Sequence, residues 1–196
     1  MKRTIIILAA IAITGIIAGG IATQFKASKT PDHLKGYGGN FTLQSAQGPV
    51  SLSDFKGKAV AIYFGYTSCP DACPTTMGLL SSAMNKLEKD ELARTQVLLV
   101  SFDPERDTPE VLANYVKQFH PNILGITGSK EDVAEITKRY GSIFERVELP
   151  NSAMGYAFDH SSITAVVDVN GDMRSLIRHQ DTVKDILAKL REAMEG

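Results

Sequence analysis

The sequence predicts an α/β sandwich, a central sheet with helices on both faces, preceded by a transmembrane anchor. Three observations predict the sandwich. Apolar runs of strand length alternate with segments of helical period. The chain closes on a strand, a turn, a second strand and a helix. Its 196 residues, 43% of them hydrophobic, are ample for one domain with a real core. An alternating pattern with that ending is a thioredoxin-like arrangement.

The first segment, "MKRTIIILAAIAITGIIAGGIATQF", sets Lys2 and Arg3 before an uncharged stretch of about twenty residues, long enough to cross a bilayer as a helix. A cleaved signal peptide has a shorter apolar core, roughly 7 to 15 residues. Residues 1–25 are therefore read as an uncleaved anchor, although Ala18-Gly19-Gly20 offers small residues to a peptidase. Basic residues ahead of a span stay cytoplasmic, which places everything after Lys26 on the far side of the membrane. No cysteine follows the apolar run, so a lipid anchor is not expected. Residues 26–40, "KASKTPDHLKGYGGN", are polar and glycine-rich and read as a flexible tether, with the folded domain over 41–196.

Within that domain, "NFTLQSAQGPVSLSDF" alternates around Gly48-Pro49 and predicts a short hairpin. "KAVAIYFGY" is a continuous apolar run, the mark of a strand buried on both faces. "PTTMGLLSSAMNKLEK" has helical spacing and "QVLLVSFD" is a second buried strand. Thr108 and Pro109 open an amphipathic helix as cap and first residue. "NILGIT" is a further strand, and Ser129 with Asp132 resembles a capping box for the next helix. Asn170-Gly171 turns the strand "SSITAVVD" back on itself, and "TVKDILAKLREAM" closes the chain as an amphipathic helix.

With 21 basic and 22 acidic residues there is no cationic surplus to neutralise phosphates, so a nucleic-acid partner is excluded. The chemistry is expected in "YFGYTSCPDACPTTM", which holds both cysteines, Cys69 and Cys73, at the end of the first buried strand. A loop closed by cysteines four apart would constrain little of the unfolded chain, so a structural staple is a weak explanation. A far-side location permits disulfide chemistry. Pro74 suits the first helical position, which makes Cys73 a cap and leaves Cys69 in the loop. The helix start should lower the pKa of at least one thiol. On spacing alone a redox pair comes first, a soft metal site second and an inert pair last.

A metal site needs further ligands, and imidazole is the natural one. His33, His120 and His179 read as solvated or capping residues. His160, in "GYAFDHSSITAVV", precedes a buried strand in a loop expected to face the cysteines, and with them gives two sulfurs and one nitrogen. Met77 and Met84 have core spacing. Asp71 between the cysteines and Asp103 at a strand end are candidates for a supporting role, while Asp107 is assigned to the start of the following helix.

"FGYTSCPDACPTTM", "SFDPERDTPEVL" and "FDHSSITAVVD" together resemble the Sco (SenC) family of membrane-anchored copper proteins that assemble cytochrome c oxidase, from Phe41 to the C-terminus. The resemblance implies a copper site at Cys69, Cys73 and His160, with Asp103 nearby. It also implies that the chain supplies copper to, or keeps reduced the cysteines of, the copper A centre of oxidase subunit II. Other periplasmic copper carriers or thiol reductases are implied as further partners, and the domain would stand in the periplasm or on the outer face of a bacterial cytoplasmic membrane. No catalytic residue is implied. The alternative is a thiol:disulfide oxidoreductase or a peroxiredoxin-like enzyme on the same fold. Against the first, three residues rather than two separate the cysteines, and no proline precedes "TAVVD". Against the second, Thr67 lies too close to Cys69 and the expected proline is missing.

Overall fold

A computed structural model describes residues 30–196. The anchor expected over 1–25 lies outside the described residues, and among those described no helix is long and apolar enough to cross a membrane.

The core is a five-stranded sheet in the spatial order β5 (Ile123–Ile126), β4 (Thr95–Ser101), β3 (Ala59–Gly65), β8 (Thr164–Val167), β9 (Met173–Ile177). Its centre is β3, Ala59–Gly65, in which all seven residues are buried. β4 (Thr95–Ser101) and β5 (Ile123–Ile126) run parallel to it on one side. On the other side β8 (Thr164–Val167) pairs antiparallel with β3, and β9 (Met173–Ile177) pairs antiparallel with β8 across the expected Asn170-Gly171 turn. A strand in this position has no polar face, which is why its sequence is an unbroken apolar run.

Both faces of β3 are covered. Tyr63 points toward α1 (Ala72–Met84), beside Cys73 and Thr76. Phe64 points the other way, against Tyr140 at the end of α4 (Lys130–Arg139), with ring centroids 5.9 Å apart. α1 packs with α5 (Val183–Glu195), and α3 (Pro109–Val116) packs on β5. Met77 and Met84 are fully buried core residues, as their spacing predicts. The caps also match: the Thr108 hydroxyl accepts from the Val111 amide, and Ser129 from that of Asp132.

Three local features differ from the sequence reading. The first hairpin, β1 (Thr42–Ser45) with β2 (Gly48–Ser51), turns at residues 46–47, so Gly48 and Pro49 are already in the second strand. The segment expected as tether is held to the domain from residue 30 onward. Leu34 is buried, the Gly38 amide donates to the Arg139 carbonyl, and the Tyr140 hydroxyl donates to the Gly39 carbonyl. Its glycines serve the backbone turns, with Gly36, Gly38 and Gly39 all at positive φ, rather than slack. A short helix, α2 (Lys89–Ala93), has no counterpart in the reading.

A hairpin the periodicity does not reveal matters most for function. β6 (Phe144–Leu149) pairs antiparallel with β7 (Gly155–His160), outside the main sheet. Its inner face lies on an aromatic cluster: Phe102 stacks on Phe144 at 4.5 Å and meets Phe158 edge-on at 5.1 Å, while Tyr66 meets Phe158 at 5.2 Å. Tyr66 follows β3 and Phe102 follows β4, so the hairpin is seated over the carboxyl ends of the central strands. Such strand ends are where α/β sheets carry ligands.

Candidate metal centre

The site is built from the end of β3, the first turn of α1 and the last residue of β7. The chain bends from strand to helix over residues 66–71, with Pro70 within the bend and Pro74 in the first helical turn. Cys69, partly exposed, lies in the bend, and its Sγ accepts a 3.4 Å hydrogen bond from the Cys73 amide. Cys73 is buried inside the first turn of α1. His160 closes the site from the hairpin, its Nε2 3.8 Å from Cys73 Sγ. The Cys69, Cys73 and His160 ligand atoms all lie within 4.8 Å of one another, the one such grouping of His, Cys, Asp or Glu among the described residues. Both cysteines are free thiols.

The imidazole is set up as a ligand. A carbonyl can only accept, so the 3.3 Å contact between Nδ1 and the Ser161 carbonyl puts the ring proton on Nδ1 and leaves the Nε2 lone pair facing the sulfurs. Burial lowers the His160 pKa below its usual value, keeping the ring neutral at neutral pH. Two sulfurs and a neutral imidazole suit Cu(I), and also zinc or Cu(II) once further ligands join.

Residues 29–195 match the SCO1/SenC family model. The chain belongs to the SCO1/SenC family. It is 38% identical to a SCO2-like protein of Rickettsia prowazekii over 152 residues, 77% of this chain and 72% of that one. Among solved structures it is similar to apo Sco1 of Thermus thermophilus, with 39% identity, a TM-score of 0.72, and coverage of 80% of this chain and 91% of the other. It is also similar to yeast Sco1 solved with copper bound, with 32% identity, a TM-score of 0.70, and coverage of 82% and 89%. The thioredoxin-like fold read from the sequence is thus that of Sco proteins.

Against this family background the cysteine loop departs from its sequence reading in two ways. The helix cap is Asp71, not Cys73, and Pro74 is the third helical residue. Proline fits there because the amides of the whole first turn lack helical partners. The expected lowering of a thiol pKa fails at Cys73, where burial instead pushes it up to about 12. At a fully buried sulfur desolvation outweighs the helix dipole.

The supporting aspartates sit outside the three-ligand group. Asp71 is exposed at the helix start and makes no side-chain cap bond. Asp103 is buried, paired with Arg106 Nε at 2.5 Å, and accepts the Tyr156 hydroxyl at 2.8 Å. Arg106 and Arg146 sandwich the Tyr156 ring at 3.7 and 3.6 Å. Asp103 therefore ties the β4–α3 loop to the hairpin that ends in His160. Asp107, assigned from sequence to starting a helix, is fully buried and accepts from the Thr67 amide at 2.9 Å, the Thr67 hydroxyl and the Ser101 hydroxyl. It anchors the cysteine loop to β4, a contact 40 residues long that no local pattern announces. Of the other histidines, His120 is buried and its Nδ1 accepts from the Asn122 amide, and His179 is exposed.

Proposed function

We propose that the chain is a membrane-anchored copper chaperone that supplies copper to the copper A centre of cytochrome c oxidase subunit II, or keeps that centre's cysteines reduced. Residues 1–25 would hold the domain on the periplasmic or outer face of a bacterial cytoplasmic membrane. One observation carries the reading: two sulfurs and a lone-pair-bearing imidazole nitrogen within 4.8 Å of one another. The set has a built-in order, because Cys69 is partly exposed while Cys73 is buried. An incoming ligand from a recipient would reach the metal on the Cys69 side, so copper can pass by stepwise ligand exchange without being released bare. Cys73 holds its proton in the free protein, so loading releases it. A Cys69–Cys73 disulfide would offer no thiolate, so redox state gates loading. Asp71, exposed beside the cysteines, is proposed to bear on docking, and Asp103 on the placement of His160.

A thiol:disulfide reductase is the second reading, favoured by the partial exposure of Cys69 and by its sulfur standing beside the Cys73 amide. Copper titration of the reduced chain, followed by optical and paramagnetic spectra, separates the two. One copper per chain, lost on oxidation, supports the chaperone. In cells lacking the chain, oxidase activity restored by added copper, and less by a thiol reductant, supports the same reading. Full rescue by reductant alone, with metal-free reduction of a subunit II disulfide, would replace it. A reporter fused after Gly196 tests the orientation, and activity of a cytoplasm-only reporter overturns it.

A further inference from the structure

The Tyr63 hydroxyl is buried with no hydrogen-bond partner, in a side chain that is 0% exposed. A buried orphan hydroxyl is costly, and native proteins retain few of them without a use. The polar side chains beside it are those of Cys73 and Thr76. A β-carbon placed on Gly65 would come within 2.9 Å of both Cys73 Sγ and Tyr63 Cε1, so sulfur and ring edge border the same spot. His160 approaches that sulfur through Nε2 at 3.8 Å. A neutral thiol is a poor acceptor, which explains the unmade bond; a thiolate is a good one.

We propose that Tyr63 is a positioning residue of the metal centre, whose hydroxyl is held in reserve to donate to the Cys73 sulfur once that sulfur becomes a thiolate. The inference rests on the copper reading above. The Thr76 hydroxyl can donate to the phenol oxygen, leaving the phenol proton for sulfur. A donor to a metal-bound thiolate withdraws electron density from it. Cu(II) depends on that density more than Cu(I) does, so Tyr63 favours the reduced ion. The carrier is thereby biased toward the oxidation state that two thiolates hold best.

The test is Tyr63→Phe in the full chain, which removes one oxygen and leaves the packing. A hydrogen bond to a charged acceptor is strong enough that the Cu(I):Cu(II) affinity ratio should fall about tenfold, equivalent to a midpoint about 59 mV lower. The sulfur-to-Cu(II) charge-transfer band should move to lower energy. The metal-free variant should melt no lower than the parent, since an orphan hydroxyl has been removed. A second arm needs no copper: Cd(II) added to the reduced chain gives a sulfur-to-metal absorbance band, which should move to lower energy with Tyr63→Phe. An unchanged ratio, or an unchanged Cd(II) band, overturns the proposal, as does a large loss of metal-free stability. Failure of the parent chain to take up copper would sink the functional reading instead, and the Cd(II) arm would then decide on Tyr63 alone.

Discussion

His160 Nε2 lies 3.8 Å from Cys73 Sγ, although 87 residues of chain separate them. That contact depends on the β6–β7 hairpin landing on Phe102 and Tyr66, and it gives the two-thiol loop a third candidate ligand. His160→Ala should weaken Cu(II) more than Cu(I), because two thiolates still hold the softer ion whereas Cu(II) requires imidazole. Competition titrations should show a Cu(II) loss exceeding the about 100-fold typical of losing an outer partner. Equal loss of both ions would mean that the hairpin has come loose, and no loss would remove His160 from the site.

The same hairpin is fastened at its far end by Asp103, Arg106 and Tyr156. Asp103 is 2% exposed, so Arg106→Ala strands a buried carboxylate. The expected cost is about 3–5 kcal/mol of unfolding free energy, read from urea denaturation. Adding Asp103→Asn to that variant removes the stranded charge and should recover a substantial part. If the single variant is as stable as the parent, the cluster does not hold the hairpin.

Gly65 permits the close approach of the sulfur to the end of β3. In Gly65→Ala the new methyl would sit 2.9 Å from Cys73 Sγ and from Tyr63 Cε1, and both are packed too tightly to yield freely. Overpacking of this kind costs about 1–3 kcal/mol. Displacement of the sulfur should weaken copper binding beyond what the stability loss explains. Unchanged copper affinity in a destabilised variant would show that the sulfur had not moved.

The sheet and the three residues brought together at 69, 73 and 160 were legible in the sequence for a physical reason: a strand buried on both faces writes itself as "AVAIYFG", and cysteine and histidine are scarce enough to be noticed. The hairpin 144–160 was not, because its faces are mixed: Arg146 stands with Phe144 and Phe158 on the inward face and exposed Val147 with Glu145 on the outward one, so neither alternation nor a continuous apolar run results. Asp107 was misread for a related reason, since a carboxylate before Thr108-Pro109 looks like a helix signal until Thr67 is found donating to it. The cap at Asp71 eluded a rule that proline satisfies anywhere in the first turn. The Cys73 pKa eluded the helix-dipole argument because burial is a property of the fold, not of the motif.

That last point gives a pH dependence for the metal-free chain. Burial raises Cys73 from a thiol's ordinary 9.0 to about 12 in the folded state. Between those values the unfolded chain has released this proton while the folded one retains it. The stabilising contribution is therefore complete below pH 9 and lost as pH rises toward 12. His160 acts at the acid end with the opposite sign. Its folded pKa lies below the usual 6.5, so its contribution is present above 6.5 and is lost as pH falls through the lowered value. Urea midpoints measured across both ranges should form a dome. Buried tyrosines also steepen its alkaline side, so the diagnostic quantity is the difference between parent and Cys73→Ser, which should shrink from pH 9 upward. His160→Gln should flatten the acid side alone. A parent and Cys73→Ser that track in parallel through the alkaline range would mean that Cys73 reaches solvent, and the buried end of the graded site would have to be reassigned.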